Sequence, residues 1–401
     1  MQQNQSPRPE EDFPRVLGLS NLFTVPGLAD YAFNRQQLNE LARLCPLSLV
    51  VPVPFTRALA KGRFSFPVRK SPFSVRWPLF WFVPRVAPAW RGPSLLACAW
   101  PALNRAASLL RPDVFLATWA HPDGWAGLKA AAAMKLPFVL KVHGSDLNEL
   151  AGNPRLAGPI SQVLSRADGV VAVSRALAER AVELGADPAK VSVVFNGVDN
   201  ELFQPREQAW ARQELGLPPD GKLVAFVGRL HAVKGLDLGL KAMAQAKEPF
   251  RLLVVGDGAE QASYRRLAGE LGLAERVMWL GRLPHAQVPL AVAASDALVL
   301  PSRKEGEPNV VLEAVAAGRP VAANPVGSTP ELITDGVNGF VARDIDPAAL
   351  ALALDQTLSR PWVPQALAAI FAGRTWRASA QRLKEVLVDA IHRHSGGKTR
   401  A

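Results

Sequence analysis

Short apolar runs alternate with helix-forming segments along nearly the whole chain, and the alternation comes in two halves joined near residue 205. Such a βα rhythm implies parallel sheets with right-handed crossovers. The runs GVVAVS, LVAFVG and ALVLP are apolar almost throughout, as parallel strands buried on both faces are. The 401 residues suffice for two α/β domains, and with 49% hydrophobic residues each can bury its own core. Residues 1–205 are expected to form the first domain and 206–375 the second. The proline- and charge-rich PREQAWARQELGLPPDG reads as the hinge between them. TWRASAQRLKEVLVDAIHRHS reads as a final helix.

The segment from Leu300 to Ala323 combines strand end, loop, apolar helix and next strand. The strand stops at Pro301, Pro308 suits a first helical turn, and Gly318 closes the helix before Pro320. Glu305 lies in the loop, and Glu313 follows eight residues later inside the apolar helix. Two readings stand. One is a loop acid plus a capping or solvent-facing acid. The other is two acceptors for the hydroxyls of one ligand, with helix N–H groups around Asn309 and Val310 facing a phosphate.

Three other places fit a ligand at the carboxyl ends of parallel strands. FVLKV ends in His143-Gly144-Ser145-Asp146, and DVFLATWA ends before His121-Pro122-Asp123-Gly124. After LVAFV come Gly228, Arg229, Lys234 and Gly235. Glycines admit a close backbone approach, and the two cations suit a diphosphate. Gly256-Asp257-Gly258 is a turn, not a dinucleotide fingerprint, because the third glycine of G-x-G-x-x-G is missing.

SRKEGEPNVVLEAVAAGRPVAA resembles the Glu-x7-Glu segment of retaining GT-B glycosyltransferases, glycosyltransferase family 4. Residues 143–146, 228–235 and 327–331 resemble further motifs of that family, in its order. The resemblance implies two Rossmann-like domains facing each other across a cleft, with the final helix, 376–395, crossing back to the first. It implies that Glu305 holds the donor sugar and Glu313 the ribose, with Pro308, Asn309, Val310 and Val311 cradling the donor. Arg229 and Lys234, beside Gly228, would grip the diphosphate, Asp257 and Gly258 would border the nucleotide, and Arg282 would lie near the base. His143 would orient the reacting sugars. On the acceptor side it points to Gly27, in the remnant of a glycine-rich loop, and to His121, Asp123 and Asp146. Gly327 and Glu331 match the family's Gly-x-x-x-Glu, and Asn196-Gly197-Val198-Asp199 a turn closing the first half. The family often carries Phe where this chain has Glu307. No metal and no other cofactor is expected, and no His/Cys cluster of metal-ligand spacing is present.

The net charge of +11 is concentrated in one region. Between Glu40 and Asp113 there is no acid but there are eleven cations, enough to account for the whole excess. Phe64, Phe66, Phe73, Trp77, Phe80, Trp81, Phe82 and Trp90 are interleaved with them. Cations beside aromatics suit an anionic membrane surface, and equally nucleic acid or a solvated loop. The prolines of this stretch predict irregular structure with short helical pieces. No apolar run reaches the ~18 residues that span a bilayer, and MQQNQSPRPEEDF has no apolar core of a secretory signal. The two cysteines, Cys45 and Cys98, suggest no disulfide framework.

The expectation is therefore a cytoplasmic, metal-independent hexosyltransferase, peripheral at the inner face of the membrane. It would move a sugar from a UDP- or GDP-linked donor to a lipid-linked or membrane-proximal glycan acceptor. The anionic membrane contact would be residues 57–91, with no transmembrane segment and no nucleic-acid partner. A nucleotide-sugar epimerase or phosphorylase on the same architecture remains open, as does a non-enzymatic basic membrane- or nucleic-acid-binding protein.

Overall fold

The computed structural model describes residues 13–25, 28, 31–68, 72–82 and 88–398. Gly27, Arg69, Lys70 and Arg85 lie outside the described residues.

The first half supplies β1 (Val16–Leu19), β2 (Leu47–Val50), β3 (Val53–Pro54), β4 (Ser74–Arg76), β5 (Leu79–Phe80), β6 (Val114–Thr118), β7 (Phe138–Val142), β8 (Gly169–Ala172) and β9 (Val191–Val193). Seven of them form one sheet in the order β4-β2-β1-β6-β7-β8-β9, and β3 pairs with β5. The second half supplies β10 (Lys222–Val227), β11 (Phe250–Val255), β12 (Val277–Gly281), β13 (Ala297–Leu300), β14 (Val321–Ala323) and β15 (Gly339–Val341). These six form a sheet in the order β12-β11-β10-β13-β14-β15. The neighbouring strands of both sheets run parallel. The strand order reverses between β1 and β6 and again between β10 and β13, which opens a crevice at the carboxyl end of each sheet.

The final helix, Trp376–Lys398, returns to the first domain. Its Ala380, Leu383, Val386, Leu387 and Ala390 pack with Leu38, Leu41 and the strand residues Val139 and Val171. This apolar spacing is the amphipathic stripe a docked helix needs.

Packing moves the domain passage earlier than the sequence places it. Val198 and Phe203 belong to the core of the second domain, beside Ala225 and Val311. The stretch read as a hinge contains a helix, Gln208–Glu214, whose Ala211 packs with Ala291 and Ala294 of the second domain. Arg212 is buried there, donating to the Ala294 and Pro219 carbonyls and to Asp296. The charged composition resembled a linker because the burial of Arg212 rests on Ala294 and Asp296, far along the chain. The chain passes between domains at Asn196–Val198, against the returning strand of chain at Arg374–Trp376. A β-carbon on Gly197 would lie 2.2 Å from the Trp376 nitrogen.

The basic-aromatic stretch is also more ordered than its prolines suggest. It holds a helix, Phe55–Ala60, and two short strands, one of which, β4, extends the first sheet. Phe73 and Phe80 are core residues.

Candidate active site in the interdomain cleft

A cavity of about 560 Å³ lies between the domains. Its walls come from the segments that follow β1, β6, β7 and β9 on one side and β10 and β13 on the other. Every one of those segments leaves the carboxyl end of a strand, which is where crevices of doubly wound sheets take ligands.

The loop after β13 is held from several directions. Asn324 donates to the carbonyls of Pro301 and Ser302 at 2.9 and 3.2 Å. Arg303 forks onto Asp237 at 2.8 and 2.6 Å. Gly327 lies underneath with φ of +54°, and a β-carbon there would come within 2.3 Å of the Glu305 carbonyl oxygen. Glu305 therefore projects from a fixed backbone. Its Oε1 accepts from Lys234 Nζ at 2.7 Å and from Ser302 Oγ at 2.6 Å, and its side chain is 9% exposed. Lys234 and Glu305, read separately from sequence as diphosphate and sugar contacts, form one ion pair.

The helix after this loop spans Asn309–Ala316, with Pro308 as the residue before it rather than inside its first turn. Asn309 and Val310 line the cavity, so the unpaired end of the helix faces it. Val311 is buried in the core, and Glu313 lies behind the cavity lining, 3.3 Å from His285 Nε2. Arg229 lines the cavity and is exposed. Gly228, Asp257 and Gly258 serve it from below. A β-carbon on Gly256 or Gly258 would collide with the carbonyl oxygens of Gly228 or Leu230, at 1.8 and 2.2 Å. Leu230 N–H donates to the Asp257 carbonyl at 2.8 Å. Arg282 is exposed and stands outside the cavity lining.

The opposite wall is aromatic. His143 sits between Phe33, at 5.2 Å between ring centroids, and Trp119, at 6.5 Å. Trp119 holds φ of +100°, a strained value for a side-chain-bearing residue. His143 Nε2 is buried with no hydrogen-bond partner, and burial holds the imidazole far below its ordinary pKa, hence neutral. Asp146 lies behind His143. It accepts from the backbone N–H groups of Gly144 at 2.8 Å, His143 at 3.1 Å and Ala120 at 3.2 Å. Burial still pushes its carboxyl up to about 6.

The acceptor-side expectations separate here. Asp146, His121 and Asp123 do not line the cavity. Asp123 is fully buried and accepts from Asn21 N–H at 2.7 Å, fixing the loop after β1; burial raises its pKa well above the usual range. His121 is 2% exposed, hydrogen-bonded to the Ala89 backbone, and pushed down to about 4 by burial. The cavity instead takes Tyr31, Phe33, Trp119, Asn148, Asn196 and Glu307. The position of Trp119 directly after β6 was the signal available for it. Asn196 stands in the Asn-Gly-Val-Asp turn and Glu307 in the loop of Glu305, but nothing local gives either a place at the cleft, which they reach through tertiary contacts.

Two doubly wound parallel domains closing on one cleft are the GT-B architecture of nucleotide-dependent transferases. Residues 55–202 match glycosyltransferase family 4, and residues 207–394 match the glycosyl transferases group 1 family. The D-inositol 3-phosphate glycosyltransferase of Frankia alni is 33% identical over 324 residues, covering 73% of this chain and 78% of that protein. The chain belongs to the group 1 glycosyltransferases. Among solved structures, HepE of Anabaena in complex with UDP superposes with a TM-score of 0.67 at 21% identity, over 96% of this chain and 99% of that one. Sucrose-phosphate synthase of Thermosynechococcus elongatus superposes with a TM-score of 0.73 at 21% identity, over 96% and 98%. These two likenesses speak for the fold.

Proposed function

We propose that this glycosyltransferase moves a sugar from a nucleoside-diphosphate sugar, with retention and without a bound metal, to a hydroxyl of a lipid-linked or membrane-proximal glycan. One observation carries the donor half. Arg229, Lys234, Glu305 and the helix start at Asn309 converge on one wall of one cleft. Arg229 and the helix N-terminus suit a diphosphate and offset the charge that develops as it leaves. Lys234 is close enough to Glu305 to hold its carboxylate toward the sugar while meeting a phosphate itself. UDP and GDP both fit this chemistry, and the UDP complex of HepE makes UDP the first to try.

For the acceptor, the first-domain wall is supportive. Its described lining residues are Leu22, Tyr31, Phe33, Trp119, His143, Ser145, Asn148, Glu149 and Asn196, with no lysine or arginine among them. That surface suits a neutral ring with hydroxyls better than the phosphorylated inositol named for the relatives. Membrane proximity draws on residues 57–91. Leu59, Phe64, Val68, Trp81 and Trp90 are exposed apolar side chains, and Lys61 and Arg63 are exposed cations near the first three. Arg76, counted with these cations from sequence, is half-buried and hydrogen-bonded to Ser74 at 2.9 Å. Among the described residues no helix is long and apolar enough to cross a membrane, so the contact would be peripheral, at the cytoplasmic face.

Thermal stability with UDP, GDP and ADP tests the donor site. A nucleotide at ~100 times its dissociation constant adds about 2.7 kcal/mol, and the gain is expected to vanish in Arg229→Ala/Lys234→Ala. No stabilisation by any of the three would overturn the donor reading. Vesicle flotation tests the membrane reading. Recovery with anionic vesicles that equals recovery with neutral ones, and is unchanged in Lys61→Ala/Arg63→Ala, would reject it.

A further inference from the structure

Glu307 is a carboxylate where a buried apolar residue would be the cheaper choice. Its side chain is 0% exposed, yet it lies in the loop that carries Glu305. Oε2 accepts from Asn196 N–H at 2.6 Å, and Oε1 accepts from Arg374 Nη1 at 2.8 Å. Those partners stand on the two stretches by which the chain passes between domains. Asn196 precedes Gly197 on the outward passage, and Arg374 precedes Thr375 and Trp376 on the return. The passages are themselves joined, because Val198 N–H donates to the Arg374 carbonyl at 2.8 Å.

Each partner extends the linkage. Asn196 Nδ2 donates to Asn309 Oδ1 at 2.9 Å, at the start of the helix that faces the cleft. The Arg374 guanidinium lies over the Phe195 ring at 4.2 Å and the Phe371 ring at 5.4 Å. Ser379 of the final helix donates to the Phe195 carbonyl at 2.5 Å and accepts from Gln37 Nε2 at 2.8 Å. Gln37 Oε1 in turn accepts from Lys141, a wholly buried amine two residues before His143 whose pKa burial lowers to about 7. Lys141 and Arg374 are the cations whose attraction works against the burial that pushes Glu307 up to about 7.

We infer that Glu307 is a positioning residue: it clasps the donor loop to both interdomain passages, so that the order of the loop and the closure of the cleft change together. A buried ion pair is a weak source of stability but a strong specifier of one arrangement, because no other placement satisfies both groups. The clasp concerns the same cleft as the donor reading, and its first test needs no nucleotide.

Hydrogen exchange of the ligand-free protein reads the clasp directly. In Glu307→Gln, exchange at residues 195–198, 303–309 and 374–376 is expected to rise together, by roughly tenfold or more, while the sheet strands keep wild-type protection. Wild-type exchange at two of these three segments would overturn the inference whatever the donor proves to be. Arg374→Met gives the same pattern if the pair acts as a unit, and the double variant then exchanges no faster than either single one. Additive rates in the double variant would equally overturn it. A global loss of protection in Glu307→Gln shifts the test to Arg374→Lys, which keeps the charge and should raise exchange at all three segments only partially; wild-type exchange there would count against the clasp. With UDP-glucose hydrolysis as readout, Glu307→Gln should lower kcat roughly tenfold or more and keep KM within about threefold. Absence of UDP binding by the wild type would reject the donor reading and leave the exchange result to decide the clasp.

Discussion

Gly306 of the second domain touches the backbone of His143 in the first so closely that a β-carbon on Gly306 would lie 1.9 Å from the His143 carbonyl oxygen. The contact is reciprocal. Gly144 holds φ of +126°, and a β-carbon there would lie 2.5 Å from the Gly306 Cα. The loop carrying Glu305 and the turn carrying His143 thus meet through two residues without side chains, backbone against backbone. Gly306→Ala must push these segments apart. Sugar turnover should fall at least roughly tenfold, with an overpacking cost of about 1–3 kcal/mol. Steady-state kinetics alongside a thermal melt would check this, and wild-type turnover would disprove it.

Glu305→Gln removes the charge that Lys234 Nζ meets at 2.7 Å while keeping the shape. Turnover of the nucleotide sugar should drop by roughly 10²–10³-fold, the usual size for losing one preorganised electrostatic contact. Calorimetric titration should find UDP affinity nearly unchanged, since the proposed contact is to the sugar.

Gly327→Ala probes the support beneath that carboxylate. The position combines φ of +54° with a 2.3 Å approach to the Glu305 carbonyl oxygen. Alanine must therefore displace the loop as well as adopt a strained backbone, at about 1–2 kcal/mol for the backbone alone. The melting temperature should fall together with turnover. An unchanged melt would contradict the role given to Gly327.

Glu331 reaches across the domains. Its carboxylate accepts from Arg175 N–H at 3.2 Å and Ala176 N–H at 3.1 Å, at the start of the helix Arg175–Glu183. Glu331→Ala should cost about 0.5–2 kcal/mol, as loss of a helix cap does. Proteolysis at the passages near Gly197 and Thr375 should become faster, and an unchanged rate would show that the cap does not hold the domains together.

Acid should destabilise the fold through buried histidine. His121 falls from the ordinary 6.5 to about 4. A depressed histidine contributes stability that is present above pH 6.5 and is lost as pH falls toward 4, here by roughly 3 kcal/mol. His143 acts in the same direction. Asp146 and Glu307, raised to about 6 and about 7, act the other way over this range, so the test is a difference between proteins: the melting temperature of the wild type relative to His121→Gln should fall between pH 7 and pH 5.

Much of the site was legible because chemistry in this fold sits at strand ends. His143, Arg229, Lys234, Glu305 and Asn309 all follow short apolar runs, and all line the cleft. His121, Asp123 and Asp146 also stand near strand ends, but their backbones turn them inward. A sequence marks the end of a strand and not the direction in which the next side chain points. Arg282 and Glu313 illustrate the same limit from the second domain.

The alternation of apolar runs with helical segments by itself determined two parallel sheets, because strands buried on both faces must be apolar throughout. The glycines beside the ligand positions likewise announced close backbone approach. Only the tertiary structure decided where the domains divide, since Arg212, in the stretch read as a hinge, is buried against Asp296 far along the chain. It alone joined Lys234 to Glu305, and Glu307 to Asn196 and Arg374. A buried charge is stable only with its partner, and its partner is defined by the folded chain rather than by any local spacing.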